Sequence, residues 1–169
     1  MKARKLTVMA LLTAVALTIF TLEAQIPAFL PVPGVKLGFA NIVTVFAVFT
    51  LGSWPAAMIL AARIFLGAIF AGNFSTVFYS AAGGALCILV SVPLRRILTE
   101  KQIWVAGCFG AIAHSIGQML AAVLISGTPG LAVYLPIMIV CSIFTGTFTG
   151  LCAQLLINRG KNLWKTFLK

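Results

Sequence analysis

No aspartate occurs among the 169 residues, and Glu23 and Glu100 are the only carboxylate side chains. Metal-dependent diphosphate chemistry needs clustered Asp or Glu to hold Mg²⁺, and no helix here carries a carboxylate pair. No Gly-x-x-x-x-Gly-Lys-Ser/Thr loop occurs either, which excludes ATP binding of the P-loop kind. The four cysteines, Cys87, Cys108, Cys141 and Cys152, lie inside apolar runs and form no Cys-x-x-Cys pair. Metal-ligand spacing is therefore missing, and they read as small polarizable packing residues. No metal or cofactor is expected. Charge itself is scarce, at 8% of residues, against about 25% in an ordinary soluble domain.

Apolar residues fill the remainder. They make up 62% of the chain, and the mean hydropathy is +1.14. A soluble protein of this composition would lack the charged surface that keeps it in solution, and the bilayer is the solvent that fits. At about 20 residues per span, the chain has room for five to six helices and none for a separate soluble domain. The formal net charge of +10 does not point to nucleic acid. Its positive residues sit at the chain ends and between apolar runs, the pattern that orients membrane proteins.

The expected fold is all-α, a polytopic membrane bundle of six transmembrane helices forming one domain over residues 1–169. The helices are placed at about 6–24, 37–51, 54–71, 76–97, 103–125 and 131–157. The first follows Lys2, Arg4 and Lys5 and ends at Glu23 without a clear small-x-small cleavage site. It reads as a retained helix and not as a secretory signal peptide. Three prolines in the Ile26–Gly34 segment bar a regular helix there. Ser53 reads as the N-cap of the third helix, with Pro55 in its first turn. With six spans both termini share a side. Ten of the twelve Lys and Arg then fall on that side, in residues 2–5, 95–101 and 159–169. The positive-inside rule makes it cytoplasmic in the cell membrane. Trp54, Trp104 and Trp164 fall at the same interface.

Polar groups inside a membrane are costly, so each needs an account. Arg63 sits in mid-helix. It is either a ligand contact inside the bundle, or a snorkelling or structurally paired Arg whose one candidate partner is Glu23. His114 and Gln118 are one turn apart on one face, continued by Gly107, Gly110, Ala111 and Ala121. That stripe reads as a ligand lining or as close helix packing. Lys36 is either an interfacial anchor or part of an external mouth beside Glu23 and Asn41. The convergence expected for a ligand site is Glu23, Lys36, Asn41, Arg63, His114 and Gln118. Two small-residue seams remain, Ala10 with Ala14, and Ser142 with Gly146 and Gly150. Such spacing lets helices approach closely, within the bundle or against a partner.

The run Pro31-Val-Pro-Gly-Val-Lys-Leu-Gly-Phe-Ala-Asn41 resembles a signature of the Gx transporter family. So do Arg63-Ile-Phe-Leu-Gly67, Ser80-Ala-Ala-Gly-Gly84, Ala113-His-Ser-Ile-Gly-Gln118, Leu135-Pro136 and the Thr145-Gly146 to Thr149-Gly150 stretch. That family often carries the label heptaprenyl diphosphate synthase component I. The resemblance implies kinship with substrate-binding S components of energy-coupling-factor (ECF) transporters. Those are six-helix proteins that bind a vitamin near the outer face and dock on a transmembrane scaffold with ATPase subunits. Ala10 and Ala14 are similar to the docking motif of their first helix. The implied function is a non-enzymatic, substrate-binding membrane subunit for a vitamin or cofactor precursor. Two alternatives stand beside it. One is a non-catalytic membrane component of polyprenyl diphosphate synthesis. The other is a structural subunit of a quinone-linked electron-transfer assembly.

Overall fold

The computed structural model describes residues 3–25, 38–72 and 75–168, with side chains for all of these except 71, 75 and 162–168. The Pro-rich segment at 26–34, Lys36, the centre of the 72–75 turn and the Trp164 side chain lie outside the described residues. Among those described there are six α-helices and no strand. They are α1 (Ala3–Gln25), α2 (Asn41–Thr50), α3 (Ser53–Ala71), α4 (Ser75–Ile97), α5 (Ile103–Ser126) and α6 (Leu135–Leu168), with a 3₁₀ turn at Pro129–Tyr134 before α6. A backbone surrounded by hydrocarbon must satisfy its N–H and C=O groups internally, and helices do so within each segment.

Five of the helices are long and apolar enough to cross a membrane. The exception is α2, with 10 residues, about 15 Å of helix against a hydrocarbon core of about 30 Å. It starts later than the expected residue 37, because a turn with Gly38 at φ 82 precedes it. Only glycine adopts that conformation without steric cost. Helix α6 also departs from expectation, beginning at Leu135 behind the 3₁₀ turn and running to Leu168, well past 157. Beyond the apolar stretch nothing breaks its hydrogen-bond ladder, since no proline follows Pro136. The N-cap of α3 is Gly52 and not Ser53, and no side chain caps it.

Residues 43–48 of α2 are all buried. A helix apolar on every side belongs inside a bundle, and the others surround α2. Its C-terminal half packs on Ile103 and Ala106 of α5, Ala153 and Ile157 of α6, Leu94 of α4 and Leu12 of α1. The start of α1 and the end of the apolar part of α6 therefore lie at one end of the bundle. The ends of α3 and α5 lie at the other, and Gly127 closes α5 at φ 62, a left-handed cap.

Helix α5 is held on both sides by small residues. Towards α6, a Cβ on Gly107 would lie 2.7 Å from the Gly146 carbonyl oxygen, and one on Gly146 would lie 2.6 Å from the Ala111 Cβ. The Ser115 and Ser142 hydroxyls hydrogen-bond across the same seam. Towards α4, a Cβ on Gly117 would lie 2.8 Å from the Gly83 Cα. The Ser142, Gly146 and Gly150 stripe is thus spent on internal packing. Lipid supplies no hydrophobic drive between helices, so such backbone contact is what joins them.

Candidate binding site

Helix α3 turns Ala56, Ile59, Leu60, Arg63 and Gly67 inwards, the 3-4 spacing of a core-facing stripe. Arg63 is therefore not a snorkelling residue, for it is only 4% exposed. Its guanidinium lies over the Phe20 ring of α1, 5.3 Å from the centroid, a cation–π arrangement. Gly67 makes room for that ring, since a Cβ there would stand 2.8 Å from the Phe20 Cε1. Glu23, one turn beyond Phe20, is an electrostatic neighbour of Arg63 and accepts the backbone N–H of Gly38. The other carboxylate, Glu100, binds Lys161 at 2.6 Å on the exposed surface, so it takes no part here.

Asn41 begins α2 and is buried. Its Nδ2 lies 2.9 Å from where a Cβ on Gly38 would stand, and the His114 Cδ2 lies 3.3 Å from the same point. Asn41 and His114 thus flank Gly38. On its other side the His114 ring rests on Gly83 of α4, with Cε1 and Nδ1 each 2.8 Å from the Cβ position. His114 is also an electrostatic neighbour of Arg63. Gln118 is buried one turn further along α5. The structure therefore brings Glu23, Asn41, Arg63 and His114 together. Gln118 shares the His114 face. Lys36 lies outside the described residues, and Ala10 and Ala14 stand elsewhere, exposed on the outer side of α1.

Four buried side-chain atoms among the described residues lack a hydrogen-bond partner: Nδ2 and Oδ1 of Asn41, Nη2 of Arg63 and Nδ1 of His114. All four belong to this one cluster. A buried polar atom left unpaired costs about 1–3 kcal/mol, more when charged. Structural polar groups are normally satisfied, so a concentration of unpaired ones in one place calls for an explanation.

The family model for heptaprenyl diphosphate synthase component I matches residues 12–156. The chain belongs to that family. No curated protein and no solved structure matches it. The family name describes a component of a synthase, and the residues assembled in this member are hydrogen-bonding groups with one carboxylate among them. Among the described residues no group of three His, Cys, Asp or Glu is placed to hold a metal ion.

Three contributors escape a reading of the sequence: Phe20 under the guanidinium, Gly38 between Asn41 and His114, and Gly83 under the imidazole. Gly83 left a signal, because Gly83 and Gly84 stand together inside a helix. Each costs about 1 kcal/mol relative to alanine, a cost that close approach of another group explains. Phe20 left none, being one of 13 phenylalanines.

Proposed function

We propose that this chain is the substrate-binding membrane subunit of an ECF-type transporter for a vitamin or cofactor precursor. It captures its ligand and catalyses nothing itself. The observation that carries this reading is the cluster of unpaired buried polar atoms on Asn41, Arg63 and His114. The cluster lies at the end of the bundle where α1 finishes and α2 starts. The lysine and arginine balance makes that the outer end, with both termini cytoplasmic. ATP would be hydrolysed by partner subunits, docked through a transmembrane scaffold on α1. Ala10 and Ala14 are exposed there, while α1 buries Met9, Ala16, Phe20 and Glu23 and packs Leu12 and Ile19 against the core.

A second reading has the family name in its favour: a membrane component of heptaprenyl diphosphate synthesis beside a catalytic partner. Arg63 would then meet the diphosphate. Affinity purification of the tagged chain from its native membranes separates the two. The expected result is stoichiometric recovery of a transmembrane scaffold and two ATPase subunits. Recovery of a soluble prenyl synthase in their place would refute the transporter reading. Prenyl diphosphate formed by the purified chain alone with Mg²⁺ would refute the non-catalytic role.

A further inference from the structure

The unpaired atoms also constrain what the cluster binds, given that it is a binding site as proposed above. A guanidinium only donates hydrogen bonds and stays charged at any physiological pH. The Nη2 of Arg63 is buried without an acceptor, and an anionic oxygen is the acceptor that such a donor binds most strongly. Phe20 supports the guanidinium from one face, so its orientation is set before a ligand arrives. A cationic ligand would meet Arg63 as a like charge, while the neighbouring carboxylate of Glu23 is already engaged by the Gly38 N–H. Asn41 adds a second constraint. Both ends of its amide are unpaired, so the conclusion holds whichever way the amide is flipped. A single acceptor or donor would leave one end wanting. A neighbouring N–H and C=O pair satisfies both.

We propose that the site takes a small anion that also carries an amide-like edge, its anionic oxygen on Arg63 Nη2 and its paired donor and acceptor on Asn41. His114 stands beside Asn41 at this site, flanking Gly38.

The test uses the full chain in lipid nanodiscs and calorimetric titration with five probes. Orotate has both a carboxylate and an imide edge. Uracil has the edge without the charge. Benzoate and farnesyl diphosphate are anions without the edge, and choline is a cation. Orotate is expected to bind about tenfold or more tightly than each of the others, the factor set by one hydrogen bond to a charged group. Arg63→Gln should abolish the preference for orotate over uracil, and Arg63→Lys should keep much of it. Asn41→Leu should abolish the preference for orotate over benzoate. If a variant fails to fold, the order of probes on the unaltered protein decides alone. Uracil or choline binding as tightly as orotate, farnesyl diphosphate binding more tightly, or no binding by any probe would overturn the proposal. Co-purification with scaffold and ATPases, measured on the same unaltered protein, reports separately on the transporter reading. A wrong probe order with the scaffold retained condemns only the ligand class. The right order with no scaffold condemns only the transporter.

Discussion

Ala10 and Ala14 on α1 repeat the spacing of Gly146 and Gly150 on α6, four residues apart in each case. The first pair stands exposed on the outer side of the bundle. The second is pressed into α5, where the Gly107 and Trp104 backbones lie against it. The difference lies in the partner and not in the stripe. Helix α5 offers Gly107, Ala111 and Ser115 at matching heights, so two backbones can meet. Helix α1 meets the bundle through Met9, Leu12, Ala16 and Phe20 on another face, and Ala10 and Ala14 are left over. A small-residue seam is therefore a statement about possible closeness, and its use is decided by what faces it.

The largest effect is expected on the α6 side. Gly146→Leu must place a side chain where even a Cβ meets the Ala111 Cβ at 2.6 Å and the Gly107 carbonyl oxygen at 2.8 Å. Overpacking typically costs about 1–3 kcal/mol and occasionally more, and here the obstacle is backbone that cannot rotate away. We expect loss of monodisperse protein by size-exclusion chromatography. Gly130→Ala, with nothing within 4 Å of its added carbon, should behave as the unaltered chain does. Normal folding of both would show that the α5–α6 contact is looser than described.

A smaller effect follows from Ser142→Ala. It removes the hydroxyl that pairs with Ser115, while Ser115 keeps the option of its own helix backbone. Hydrogen bonds between membrane helices average about 0.6 kcal/mol. A slight fall in thermal midpoint is expected, and a collapse of the fold would mean that the pair does more than join two helices.

The smallest effect on the fold belongs to α1. Ala10→Trp combined with Ala14→Trp adds bulk on an exposed face, so expression, monodispersity and thermal midpoint should hold. Association with the transmembrane scaffold and ATP-driven uptake should be lost, since bulk holds a partner helix away. A double variant that still co-purifies and transports would remove α1 as the docking surface. One that misfolds would turn the comparison around and make α1 the buried seam.

Much of the fold was legible because the membrane leaves few options. Long apolar runs separated by Gly, Pro and charged residues become helices, and five of the six are clear on length and composition. The start of α2 and the end of α6 depart from what hydropathy predicts, since a glycine turn and an uninterrupted helical tail are local events that hydropathy averages over. The site was legible in part. Arg63, Glu23, Asn41 and His114 are rare polar residues in apolar surroundings, and rarity exposed them. Phe20 is chemically ordinary and gains its role only by lying under Arg63.

By itself, the sequence determined the solvent, the helical class and which polar groups demand an account, because those follow from composition and from the cost of polarity in hydrocarbon. It also held the asymmetry of Lys and Arg that any orientation must obey. Only the tertiary structure decided between pairs of equal readings. Arg63 faces the interior and not the lipid interface. The α6 stripe is consumed by α5, while the α1 stripe is free. Asn41 and His114, 73 positions apart by their numbering, flank a single glycine. Such facts depend on the rotation of each helix about its own axis. That rotation is set by how all six side-chain surfaces fit at once, which no one segment encodes.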